Sequence, residues 1–373
     1  MSFDRQLQIG YFAHCLRTLP GAYGKLDTNR LTLVHFCVHA LDLLRVWDDA
    51  ALQQALRLDK HAIIEWIYAM QVKPNVFSNN NDDNDDDHRH RFEANAGFKG
   101  GSFLGGGGFA EDEDDMTNDT FQEWNQGHIA MTYTALCTLR ALGDDLERVE
   151  KRAIIRALRH LQLPNDGSFQ CVAFGSEHDM RFLYCACCIS HMLDDWSGVD
   201  QDRAVAYIQQ CRSWDGAVAL LPGQEGHGGS TFCAVAALKL MGRLEDTIDE
   251  KWRKELIHWC VQRQVGGMQG RPNKAEDTCY SYWIGGTLQL LKAFDLLDHK
   301  ALRGFVMRCQ TRMGGFSKVI GAFPDVLHAY YSLAYLSLSQ QYVDIHPEDT
   351  LKELDCTLGI GKDTATLFRP LLH

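Results

Sequence analysis

The 373-residue chain carries 45% hydrophobic and 23% charged residues, the balance of a folded globular protein. Its formal net charge is -12, but the excess is local: residues 79–119 hold twelve acidic side chains against Arg89, Arg91 and Lys99, a balance of -9. No basic stripe appears elsewhere, so nucleic acid is not an expected partner, and no run of 18 apolar residues exists, so no transmembrane segment is expected. The opening Met-Ser-Phe-Asp-Arg-Gln lacks the basic-then-apolar pattern of a secretory leader. Thirteen cysteines lie inside apolar runs such as Tyr184–Cys188 rather than in a spaced framework. The expectation is a cytoplasmic protein with reduced thiols.

Residues 1–75 read as helices, with apolar side chains at helical spacing in Leu31–Leu44 and His61–Val72. Asp27 or Thr28 is the expected cap of the first and Asp59 of the second. Polar and acidic low-complexity runs follow at 78–95 and 104–120, too poor in apolar residues to pack, and are expected to be surface insertions. Within the second, Asp112-Glu-Asp-Asp fits the Asp-x-Asp-Asp proton-donor pattern of terpene cyclases, but its setting marks a chance match.

From about residue 97 the chain repeats. A glycine turn followed by an apolar residue recurs at Gly101, Gly167, Gly216, Gly267 and Gly315, the last four 49, 51 and 48 residues apart. Thr132-Tyr-Thr-Ala-Leu-Cys-Thr-Leu reappears as Thr231-Phe-Cys-Ala-Val-Ala-Ala-Leu, 99 residues on. Small apolar helices alternate with amphipathic ones such as 249–264, so two helices per repeat of about 50 residues are expected. Closed into a ring, the inner helices would make a barrel. Its mouth would gather the polar residues at the helix starts: Glu177, His178, Arg181, His227, Asp277, Cys279, Asp325 and His328. Tyr133, Phe182, Tyr280, Trp283 and Tyr331 would line the interior, and free N–H groups at the helix starts would suit an anion such as diphosphate.

The organising stretch is 271–287. It puts Asp277 and Cys279 two residues apart at a helix start, with Arg271 and Lys274 just upstream. A carboxylate with a thiolate suits zinc better than calcium or magnesium, which want oxygen alone. The best third ligand is His328, one repeat later. A deep apolar cavity with a cationic rim and a metal beside it suits a lipid diphosphate.

Four stretches carry a resemblance: Gly270-Arg-Pro-Asn-Lys-Ala-Glu-Asp-Thr-Cys-Tyr-Ser, His227-Gly-Gly-Ser-Thr-Phe, Glu177-His-Asp-Met-Arg-Phe-Leu-Tyr-Cys and Phe323-Pro-Asp-Val-Leu-His-Ala-Tyr. Over residues 5–340 the chain resembles the β subunits of the protein prenyltransferases, most closely those of the type I geranylgeranyltransferases. The resemblance implies an all-α fold, an α–α toroid forming one domain over 1–373, and an obligate heterodimer with an α subunit. It implies transfer of a C20 group from geranylgeranyl diphosphate to the cysteine of C-terminal CaaX proteins, x usually Leu, such as Rho/Rac-type small GTPases. By position, Asp277, Cys279 and His328 would hold one zinc ion, which keeps the substrate thiol as thiolate. His227, Arg271, Lys274, Tyr280 and Lys318 would bind the diphosphate, with Lys318, Tyr280 and His227 assisting its departure. Thr32, Phe36, Met131, Tyr133, Arg181 and Leu327 would line the lipid and peptide pocket. Thr32 matches the small residue that leaves room for the longer lipid. Lys318 stands where the farnesyl enzyme has a magnesium-binding aspartate, so no magnesium requirement is expected.

The alternatives are a farnesyltransferase β subunit, against which Lys318 and Thr32 speak, a Rab geranylgeranyltransferase β subunit, and an inactive toroid serving as a binding scaffold.

Overall fold

The computed structural model describes residues 2–73, 95–102, 125–173 and 177–368. The expected insertions at 78–95 and 104–120, Asn95 apart, lie outside the described residues, as does Asp112-Glu-Asp-Asp.

Six helices form the inner ring: α2 (Arg30–Leu43), α5 (Ile129–Ala141), α7 (Met180–Met192), α9 (Gly228–Leu240), α12 (Thr278–Leu290) and α14 (Val326–Leu338). Each packs on the next, and α14 packs back on α2, which closes the barrel. These helices are apolar almost all round because one side faces the barrel interior and the other is covered by outer helices. The outer helices show the complementary pattern. In α6 (Lys151–Leu161), Ala153, Ile154, Ile155, Ala157, Leu158 and Leu161 are buried, while Lys151, Arg152, Arg156 and Arg159 face water. The expected 249–264 helix is α11 (Glu250–Val261), capped by Asp249 and followed by turn.

In the four repeats whose glycine turns are Gly167, Gly216, Gly267 and Gly315, two antiparallel bridges pin the turn between outer and inner helix, as in Arg212↔Val218 and Ala219↔Gly226. Gly167 has φ +83°, and a Cβ there would lie 2.4 Å from the Arg203 carbonyl oxygen on the next outer helix, α8 (Gln201–Gln210). Only glycine lets the turn approach so closely. In the last repeat the same role falls to Gly314, packed on Leu7 of α1 (Arg5–Arg17). Gln8 also accepts from Gly315 N at 2.9 Å, so the first helix serves as outer partner of the final repeat and seals the ring.

Of the expected caps, Asp59 accepts from Ala62 N at 3.1 Å and starts α4 (Lys60–Tyr68). Asp27 and Thr28 do not cap α2. A 3-10 helix, Gly21–Asn29, runs directly into it, Asn29 is the boundary residue, and Asp27 pairs with Arg30 at 2.5 Å. Because the chain enters already wound, a side-chain cap has little to satisfy.

The tail closes the barrel end opposite the helix starts. Lys352 N donates to Leu43 O at the C-terminal end of α2, and Ser337 Oγ near the end of α14 donates to Lys352 O. A hairpin of β1 (Leu354–Asp355) and β2 (Ile360–Gly361) then reaches inward. Its tip carbonyls accept from hydroxyls on four inner helices: Tyr282 to Cys356 O at 3.2 Å, Tyr184 to Thr357 O at 2.8 Å, Tyr133 to Leu358 O at 2.7 Å, and Tyr330 to Gly359 O.

Candidate functional site

Above that floor lies a cavity of about 630 Å³. Its wall is a closed aromatic girdle. His35, Tyr133, Tyr184, Phe232, Tyr282, Tyr331 and Tyr330 follow one another with centroids 5.1–6.2 Å apart, returning to His35, and all but Phe232, which packs behind them, line the cavity. Trp283 packs on Tyr331 at 4.3 Å. Of the expected interior aromatics, Tyr133, Tyr280, Trp283 and Tyr331 line the cavity. Phe182 is not among the lining residues; it turns edge-on to His128, 5.9 Å away. Among the expected pocket residues, Thr32, Phe36, Tyr133, Arg181 and Leu327 line it. Met131 sits one layer back, its Sδ accepting from Thr32 Oγ1 at 3.2 Å.

The expectation of free helix N–H groups at the mouth does not hold. The first amide of each inner helix is already taken, for four of the six by a carbonyl in the next repeat: Ile129 N by Cys171 O, Met180 N by Leu220 O, Gly228 N by Gly270 O and Thr278 N by Lys318 O. The next free amide goes to the capping side chain, as with Asp277 for Cys279 N and His227 for Gly229 N. An anion here must be met by side chains instead.

Those side chains fall into two groups. In the first, donor atoms of Asp277, Cys279 and His328 lie within 4.8 Å of one another. Asp277 is buried and fixed as the cap of α12; its carboxylate is 3.3 Å from His328 Nε2 and 3.5 Å from Lys318 Nζ. Asp325, the cap of α14, holds His328 Nδ1 at 2.6 Å, which aims Nε2 at Asp277. This is the outer carboxylate that orients metal-binding histidines. Burial works against a charged His328, yet hydrogen bonds to Asp277 and Asp325 outweigh it and raise the imidazole to about 9. Burial, reinforced by Asp277, pushes the Cys279 thiol well up. The cluster thus holds a proton where its donors call for a cation. A thiol, an imidazole nitrogen and a carboxylate in one buried pocket fit zinc.

In the second group, His227 Nδ1 accepts from Gly229 N at 3.1 Å, so the neutral ring, kept neutral by burial and by nearby Arg271, carries its proton on Nε2. That proton is donated to the Tyr280 oxygen, 3.0 Å away. The Tyr280 O–H is left to donate into the cavity. Arg271 lines the rim and pairs with Glu225; Lys274 and Lys318 are exposed and are not among the residues that line the cavity. Arg181 is bound by Glu177 at 2.8 Å, as its i−4 spacing suggests, and also by Asp179 at 2.6 Å. Sequence reasoning missed Asp179, the true cap of α7, and Glu225. Asp179 carries a local signal, an Asp just before an apolar helix; the Glu225 pairing spans two repeats and carries none.

The sequence matches the family described as prenyltransferase alpha-alpha toroid domain over residues 3–360. The chain belongs to the prenyltransferase family. Among related prenyltransferases, it is 36% identical over 349 residues to the geranylgeranyl transferase type-1 subunit beta of Arabidopsis thaliana, covering 91% of this chain and 86% of that one. To the subunit of the same name in Dictyostelium discoideum it is 38% identical, covering 88% of each. The Candida albicans protein geranylgeranyltransferase-I complexed with GGPP superposes with a TM-score of 0.80 at 23% identity, over 99% of this chain and 98% of that one. This last likeness bears on the fold alone. The expected all-α toroid and the resemblance to type I β subunits are both borne out. No helix among the described residues is long and apolar enough to cross a membrane.

Proposed function

We propose that this chain is the catalytic β subunit of a heterodimeric, cytoplasmic protein geranylgeranyltransferase type I. It would transfer the C20 group of geranylgeranyl diphosphate to the cysteine of CaaX proteins. The observation that carries the reading is the Asp277, Cys279 and His328 cluster beside an aromatic cavity whose rim bears Arg271, His227 and Tyr280. Asp277, Cys279 and His328 would hold zinc, whose chemistry is to keep a substrate thiol as thiolate at neutral pH.

The remaining work falls to the chain's own groups. The aromatic girdle receives the isoprenoid and excludes water, and Thr32 leaves room at its wall. As the substrate sulfur bonds to carbon 1 and the carbon–oxygen bond breaks, charge grows on the departing diphosphate. Arg271, Lys274, Lys318 and the Tyr280 O–H meet that charge, with His227 holding the Tyr280 oxygen. Lys318 supplies its charge without a second metal, so magnesium is dispensable in this reading. Large apolar side chains stand exposed at equivalent turn positions of three consecutive repeats, Trp214, Val265 and Met313, a face an α subunit would cover.

The test is prenyl transfer by the co-expressed heterodimer to a Cys-a-a-Leu peptide, with C15 and C20 diphosphates, with and without magnesium. Efficient C20 transfer without magnesium is expected. Strict C15 transfer requiring magnesium would assign the chain to the farnesyl class; no transfer, with zinc and partner bound, would leave a scaffold.

A further inference from the structure

Three cations around the mouth are engaged by carboxylates: Arg181 by Asp179 and Glu177, Lys318 by Asp277, and Arg271 by Glu225. The carboxylates are not equally held. Asp179 and Asp277 are buried and fixed as helix caps. The Glu225 side chain is 58% exposed. It stands in the turn before α9, where Gly223 at φ +79° lets the chain double back, and among the described residues it makes no second ion pair. Arg271 lies 46 residues on, in the turn of the next repeat, and both residues line the cavity.

An ion pair this exposed is weak and easily exchanged. The Arg271 fork presents a bidentate face suited equally to a carboxylate or a phosphate. A diphosphate bound there would meet the Glu225 charge at close range, and like charges repel. Resting on the diphosphate reading given above, we propose that Glu225 is an internal competitor for the anion site. Its carboxylate occupies Arg271 while the cavity is empty and swings into water when a diphosphate enters. It then competes for Arg271 again as the free diphosphate left by transfer departs. Glu225 is a positioning residue: it acts on the anion through Arg271. Its effect is to weaken substrate head group and product alike, which favours release of the product.

The experiment is calorimetric titration of inorganic diphosphate into the full chain with its partner subunit, in wild type, E225Q, E225D, R271Q and E225Q/R271Q forms. E225Q should bind diphosphate about threefold to tenfold more tightly. E225D, which keeps the charge, should stay within about twofold of wild type, and the gain should vanish when Arg271 is also replaced. In turnover, E225Q should show stronger diphosphate product inhibition with no rise in kcat. Equal or weaker binding by E225Q overturns the proposal, because Glu225 would then be holding Arg271 in place for the anion. A gain that persists without Arg271 overturns it too. Wild-type affinity that depends on Arg271 but ignores Glu225 sinks this inference alone. A wild type that binds no diphosphate removes the underlying reading as well.

Discussion

Asp277 does three jobs with one carboxylate: it caps α12 through Cys279 N at 3.0 Å, faces His328 Nε2 at 3.3 Å, and draws Lys318 to 3.5 Å. An Asp277→Asn change separates them, since asparagine caps a helix as well as aspartate does. The cap should survive, so melting of the zinc-free protein should fall only by what the His328 and Lys318 pairings contribute, while zinc affinity should fall at least about tenfold. Zinc per chain, measured by atomic emission alongside a melting curve, tests both halves; undiminished zinc would remove Asp277 from the ligand set. This part of the site was legible because Asp277 and Cys279 are two residues apart and His328 recurs one repeat on. Glu225 and Arg271 were not legible as a pair. Their meeting depends on how far each turn reaches around the ring, which no local spacing encodes.

Helix α2 buries two histidines four residues apart, His35 and His39, with rings 4.3 Å from each other. Burial holds His35 down to about 3 and His39 well below its usual value. His128, the cap of α5, is lowered to about 4 by burial and by Arg181. All three are therefore neutral when folded, whereas the unfolded chain protonates them near 6.5. For depressed values the stability is fully present above pH 6.5 and is lost as pH falls toward about 4. Each group should cost roughly 1 kcal/mol per pH unit across that window. Urea midpoints at pH 7, 6 and 5 should decline steadily, and His35→Gln should flatten the slope; an unchanged slope would mean His35 opens to water in the native state. At this scale the elements were readable from apolar periodicity. The Asp27 and Thr28 caps were misread because the 3-10 helix before α2 removes the need for a cap, and sequence alone does not reveal a chain that arrives already wound.

A ring of repeats has two ends, and only one of them was visible beforehand. The mouth is built from repeated helix starts, so it announces itself in the period of about 50 residues. The floor is built from a single tail segment after residue 350 that occurs once and matches nothing else in the chain. Tyr133, expected only as a pocket residue, and Tyr184, Tyr282 and Tyr330, which look like ordinary core residues, become donors to Leu358, Thr357, Cys356 and Gly359 only when the barrel closes around them. The tail is in turn anchored by Lys352, whose ammonium lies 2.9 Å from the buried Asp42 on α2 and 2.8 Å from Asp48. Removing one partner of such a pair leaves a buried charge unmatched, a loss of about 3–5 kcal/mol, whereas removing both for apolar groups of similar size is close to neutral. Lys352→Met should therefore lower the urea midpoint sharply and loosen the floor, seen as added binding of an apolar dye. The double change Lys352→Met with Asp42→Leu should recover most of the midpoint, since Thr364 Oγ1, 3.3 Å from Asp42, is then the main polar group left without its partner. If the single change proved harmless, the tail would be held by its tyrosine bonds and apolar contacts alone, and the ion pair would be incidental to closing the barrel.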